Sequence, residues 1–233
     1  MKKKTRWPIY LIIGLVITFI AFTVPLPYYI EVPGTSEDIR KVLQVNNQAD
    51  QEEGSYQFVT VGVKHARLVD LVYAWLTPFT DIRSAKEMTG GSSDAEFMRI
   101  NQFYMETSQN MAKYQGLKSA GKEIELKYLG VYVLTVTDNS TFKGILNIAD
   151  TVTAVNDKTF ESSKEMVDYV NSQTLGDKVK VTYQEDGKVK TAEGKIITLE
   201  NGKNGIGIGL IDRTEVSSDV PIKFSTAGIG GPS

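Results

Sequence analysis

The sequence predicts an α+β protein held by a single N-terminal membrane-spanning helix. Three observations carry this. An uncharged, almost wholly apolar run, Ile9 to Val24, follows a basic cluster. Segments such as Tyr56 to Val63 alternate with the period of two expected of strands. Others, such as Ala66 to Leu76, space their apolar residues as one face of a helix.

The N-terminal run is read as an anchor because no residue between Arg6 and Glu31 is charged. Trp7 and Tyr10 stand at one end, Tyr28 and Tyr29 at the other, as interfacial aromatics do. The run is long for a cleaved signal peptide, and Ala21-Phe22-Thr23 is a poor small-x-small site. Lys2, Lys3, Lys4 and Arg6 keep the N-terminus cytoplasmic, which places everything after Pro25 outside the cell membrane. The 233 residues carry 26 basic side chains, and outside the first thirty residues 22 of them face 28 acidic ones. That net of −6 argues against nucleic acid as a partner. There is no cysteine, so no disulfide and no thiolate nucleophile. No ligand cluster suggests a metal, and no cofactor is expected.

Pro25, Pro27 and Pro33 give an extended exit from the helix, with Tyr28 to Val32 as a first strand. Asp38 to Val45 is ambiguous, and Asn46 to Ser55 is a polar turn. After the strand at Tyr56, the Ala66–Leu76 helix puts Leu68, Leu71, Val72 and Trp75 on one face, expected to be core. His65, the only histidine, has no serine and carboxylate near it in sequence and is given a structural or surface role. Gly90-Gly91-Ser92-Ser93-Asp94 breaks the chain and offers an N-cap. A long helix follows to about Lys118, with Phe97, Ile100, Tyr104, Met111 and Tyr114 as its apolar stripe.

From Glu123 strands dominate. Ile124 to Leu126 leads into Tyr128 to Val133 and Leu134 to Asp138. The run Ile148 to Asp157 ends in a tight turn, and Ser162 or Ser163 caps a helix bearing Met166, Val167 and Val170. Lys178–Tyr183 and Val189–Gly194 are joined by Glu185-Asp186-Gly187, a hairpin turn. With Leu129-Gly130-Val131-Tyr132 before the second strand and one helix after Val155-Asn156-Asp157, residues 123–196 resemble a PDZ domain of the bacterial type. Thr141-Phe142 stands where a proline is usual, and Ala149-Asp150 where Gly-Asp is usual. The resemblance implies that a peptide adds as a strand beside Val131 to Val136. Its carboxylate would meet N–H groups near Leu129 and Gly130, and Met166 and Val170 would form the helix wall. The implied peptide-binding residues are Leu129, Gly130, Val131, Tyr132, Val133, Met166 and Val170. The alternative is a small mixed domain with no ligand.

Beyond it, Gly205, Gly207 and Gly209 alternate with Ile206, Ile208 and Leu210 and read as one strand. They lack the helix and lysine that a phosphate loop needs. The short run Val220–Phe224 then leads to Gly228-Ile229-Gly230-Gly231-Pro232-Ser233, a glycine-rich turn that presents a hydroxyl. Anchor, PDZ-like module and Gly-Gly-Pro-Ser together resemble the membrane-anchored, PDZ-containing relatives of Lon-type serine peptidases of Gram-positive bacteria. The Pro33-Gly34 step fits the same family.

That resemblance implies that Ser233 is the nucleophile. Its general base would be a lysine some tens of residues further on, which no position here matches. This chain is therefore expected to be inactive alone. Without an ATPase module, turnover would need no ATP. The expected organisation is a basic tail and anchor over 1–30, then a strand and helix region over 31–122. The PDZ-like domain covers 123–196, and the start of a proteolytic domain 197–233, cut at the nucleophile. Residues 28–76 look like the opening of that same domain, with the PDZ part inserted in it. The expected function is ATP-independent extracytoplasmic serine endopeptidase action on exported peptides or proteins. The alternative is a non-catalytic, membrane-tethered PDZ scaffold.

Overall fold

The computed structural model describes residues 7–225 and divides the chain into two compact units. The first comprises residues up to 43 together with 49–93, and the second residues 44–48 with those from 94 onward. The expected boundary near residue 122 therefore lies about one helix too late. Ser233 and its Gly-Gly-Pro approach lie outside the described residues.

In the first unit, helix α1 (Trp7–Thr23) has no buried residue. Among the described residues, no helix is long and apolar enough to cross a membrane. One residue after α1 the chain enters β1 (Pro25–Asp38). After β2 (Leu43–Val45) comes β3 (Gln57–Arg67), which pairs antiparallel with β1. Helix α2 (Leu68–Leu76) follows directly, then β4 (Asp81–Ser84) and the short α3 (Ala85–Thr89). The sheet order is β3-β1-β4. Tyr29, Ile30 and Ala66 are its buried apolar residues, and His65 stacks on Tyr29 with ring centroids 4.3 Å apart. Asp70 caps the start of α2 by accepting from the Arg67 N–H at 2.8 Å and from Lys64 Nζ at 2.8 Å. The face of α2 expected to be core is not: Leu68, Val72 and Trp75 are exposed, Trp75 by 84%. A three-stranded sheet with so short a partner helix offers too little surface to cover them.

The second unit opens with α4 (Asp94–Ser119), which runs through Gly116 to a glycine turn at Gly121, φ +66°. Its buried residues are Phe103 and Leu117, so its packed line is rotated from the expected stripe, and Met111 is 38% exposed. Five antiparallel strands follow in the order β11-β5-β6-β7-β8. These are β5 (Glu125–Val136), β6 (Thr151–Val155), β7 (Lys178–Glu185), β8 (Lys188–Lys195) and β11 (Ile208–Ser217). Helix α5 (Ser163–Asn171) lies between β6 and β7 in sequence, with Ser162 as N-cap. The ribbon β9 (Ile197–Thr198) with β10 (Asn204–Gly205) leads into β11, and β12 (Ile222–Phe224) pairs with β2. The core is continuous: Val131, Val133, Phe142, Val155, Met166 and Val181 are all at most 2% exposed.

Two details differ from the sequence reading. Strand β6 starts at Thr151, because Ala149 holds φ +83° in the turn where glycine was expected. The alternating Gly-Ile run is not one strand, because Gly207 at φ +73° turns the chain between β10 and β11. Residues 208–217, expected in a proteolytic domain, thus complete the sheet of the PDZ-like one.

Candidate functional site

The strand expected to receive a peptide has no free edge at Val131 and Tyr132. Val131 and Tyr132 lie in β5, paired on one side with Asp212 and Ile211 of β11 and on the other with Val152 and Thr151 of β6. A strand with both edges filled accepts no third partner. Gly130 is not a carboxylate loop either. At φ +133° it lies so close to β6 that a Cβ would sit 2.3 Å from the Val152 carbonyl oxygen. Val131, Tyr132 and Val133 are buried, and Leu129 lies within the same strand. Tyr132 stacks on Phe103 with centroids 3.8 Å apart, and burial pushes its hydroxyl pKa up. These residues form the floor of the domain.

The sheet's two edge strands are β8 and β11, each with a neighbour on one side only, and helix α5 packs beside β11. Between them Met166, Val167, Val170, Leu199, Ile206 and Ile208 line an apolar cleft. Met166 and Val170, both buried, are on the helix wall, and Val167 is 37% exposed at the mouth.

The turn at the head of the cleft is built to present N–H groups. Ser140 Oγ donates to the Ile206 carbonyl at 2.6 Å, and the Thr137 N–H donates to the Gly207 carbonyl at 2.9 Å. Both carbonyls are thus tied to the loop before Phe142, whose N–H in turn donates to Ser140 Oγ at 3.1 Å. The N–H groups of Ile206 and Gly207 donate to nothing among the described residues. Consecutive N–H groups at a left-handed glycine make a small anion-binding concavity. Only glycine fits at 207, since a Cβ would meet Thr137 Oγ1 at 2.6 Å and Ser140 Cβ at 2.8 Å.

Further along β11 the cleft becomes acidic. Asp212 Oδ1 accepts from the Ser163 N–H at 2.8 Å and so caps α5. Beside it the Tyr128 hydroxyl is pushed up to about 12, by burial first and then by the charges of Asp212 and Glu165. Among the described residues, no group of acidic residues and histidine has the geometry of a metal site.

An antiparallel sheet with one capped helix beside an open edge strand, headed by a glycine turn of free N–H groups, defines a PDZ-type module. The comparisons agree: residues 101–196 match the PDZ domain family, so the chain carries a PDZ domain. Solved PDZ domains are similar over about a third of the chain. That of the SdrC-like protein of Listeria monocytogenes is 35% identical, covering 37% of this chain and 93% of that one, with a TM-score of 0.36. Its counterpart from Listeria innocua is 38% identical over 35% of this chain and 92% of that one, with a TM-score of 0.34. No curated protein matches the chain.

Nothing local in Gly205-Ile206-Gly207-Ile208 marks it as part of a site. Its spacing of small and apolar residues was visible, but its role depends on which strand ends up at the edge.

Proposed function

We propose that the PDZ domain captures peptide C-termini in the cleft between β11 and α5. The free N–H groups of Ile206 and Gly207 at the head of an unpaired strand edge carry this reading. A peptide would pair along β11, set its last apolar side chain against Met166 and Val170, and place its carboxylate on the turn. The test is binding of a labelled peptide ending in a free valine carboxylate, measured by fluorescence anisotropy against its C-terminal amide. The carboxylate should bind about tenfold tighter or more, since charge-assisted hydrogen bonds are lost with the amide. Val167→Lys should weaken binding while leaving the circular dichroism unchanged. Equal affinity for both peptides would exclude carboxylate capture.

We further propose that capture serves an anchored, extracytoplasmic serine endopeptidase of the Lon type, ATP-independent, with Ser233 as nucleophile. The Gly-Gly-Pro-Ser motif supports this. So does the first unit, where Val59, Val61 and Val63 leave one face of β3 exposed, as in the opening part of a larger domain. The anchor would be α1. Its 17 uncharged residues reach about 26 Å, and a span a little shorter than the ~30 Å hydrocarbon core is met by local thinning or snorkelling flanks. Lys2 to Lys4 and Arg6 supply that flank. In a chain extending past Ser233 to its lysine, Ser233→Ala should abolish peptide hydrolysis while the anisotropy titration is unchanged. Hydrolysis that survives the substitution would exclude Ser233 as the nucleophile, and no hydrolysis by the parent chain would leave only the tethered scaffold.

A further inference from the structure

We propose that α2 and the turn after it lie in the membrane interface as a second, shallow lipid contact beside α1. The proposal rests on α1 being the anchor. The geometry that carries it is the register of the first sheet. Pro25, two residues past the end of α1, pairs with Arg67, the residue that caps α2. The chain therefore starts α2 at the level where it leaves the bilayer, and α2 packs against α1 within the same unit.

The chemistry of the segment fits that depth. From Leu71 to Thr80 the sequence Leu-Val-Tyr-Ala-Trp-Leu-Thr-Pro-Phe-Thr holds no charge. Asp70, the one charged residue of α2, is buried and bonded to Lys64 and the Arg67 N–H. The apolar side chains face outward: Val72 is 56% exposed, Trp75 84%, Leu76 67% and Phe79 89%. Phe79 is carried there by a left-handed backbone, φ +58°, a conformation that a bulky residue adopts only under constraint. In water such a cluster costs free energy. At the head-group boundary its amphipathic aromatics are favoured. The occupant is the lipid bilayer itself.

Two tryptophans make the test direct, since Trp7 stands in α1 and Trp75 in α2. The full chain is reconstituted into vesicles of phosphatidylethanolamine and phosphatidylglycerol, with bromines at chosen acyl depths. The Trp7→Phe variant reports on Trp75 alone, and Trp75→Phe on Trp7 alone. Trp75 should show blue-shifted emission, loss of most of that emission to shallow bromines, and protection from aqueous acrylamide. Quenching by acrylamide without quenching by bromolipid would overturn the proposal. Protection from both quenchers would overturn it too, since a protein surface would then cover Trp75. The anchor is read separately: an unquenched Trp7 sinks it, whereas a quenched Trp7 beside an unquenched Trp75 leaves it standing and sinks only the α2 contact.

Discussion

Asp70 and Asp150 are both buried, both accept a backbone N–H three residues before them, and shift in opposite directions. Burial alone raises each. At Asp70 the hydrogen bonds from Lys64 and the Arg67 N–H outweigh burial, and the carboxyl sits below its usual value. At Asp150 the Asn147 N–H at 2.8 Å is not enough, and burial, with Glu185 adding repulsion, holds the carboxyl above it. The signs follow by linkage. Asp70 stabilises its unit above the unfolded carboxylate pKa of ~3.9, and that contribution disappears as pH falls through the depressed folded value. Asp150 binds its proton more tightly when folded, so its cost grows as pH rises from ~3.9 through the raised value. Asp70→Ala, which removes the acceptor for the Arg67 N–H, should cost about 1–2 kcal/mol at neutral pH, little of it from the ion pair because the Lys64 side chain is 58% exposed. Asp150→Asn keeps an acceptor for Asn147 and should gain on the parent protein across the same rise in pH. Melting curves from about pH 3 to 7 check both, and parallel profiles would refute the assignment.

At the scale of elements, the side of a helix that is packed matters more than its length. Phe103 lies on the Tyr132 ring, whereas Met111 of the predicted stripe is partly open. Phe103→Ala should cost about 3 kcal/mol or more in chemical denaturation, and Met111→Ala less than about 1. Comparable losses would mean that α4 packs on another line. The same element shows what the sequence conveys. Capped helices and alternating strands are local, so α5 with Ser162 and the β7–β8 hairpin were legible. The site was only half legible. Met166 and Val170 follow from helical spacing and line the cleft, but Leu129 to Val133 were assigned to its strand. Leu129-Gly130-Val131-Tyr132 and Gly205-Ile206-Gly207-Ile208 are similar strings. They are separated only by a pairing across more than seventy residues, which puts β5 inside the sheet and β11 at its edge. Periodicity carries no information about that pairing.

At the scale of the whole chain, the two units differ in how much they bury. The second encloses a continuous apolar core, from Val131 through Phe142 to Ile206. The first contributes only Tyr29, Ile30 and Ala66 to the buried apolar residues among those described, while Trp75, Leu76 and Phe79 stay outside. Burial is the main stabilising term, and backbone hydrogen bonds open to water add little net stability. The first unit should therefore open at lower free energy than the second, as a separate cooperative step. Native-state hydrogen exchange in detergent micelles tests this. Amides of β1 and β3 should lose protection at low denaturant, while those of β6 and β7 persist to the main transition. On the proposed lipid contact at α1 and α2, transfer into bilayers should then raise protection in the first unit selectively, by supplying burial that its own core lacks. Exchange of both units at one denaturant concentration, unchanged by lipid, would show that they share a single cooperative structure.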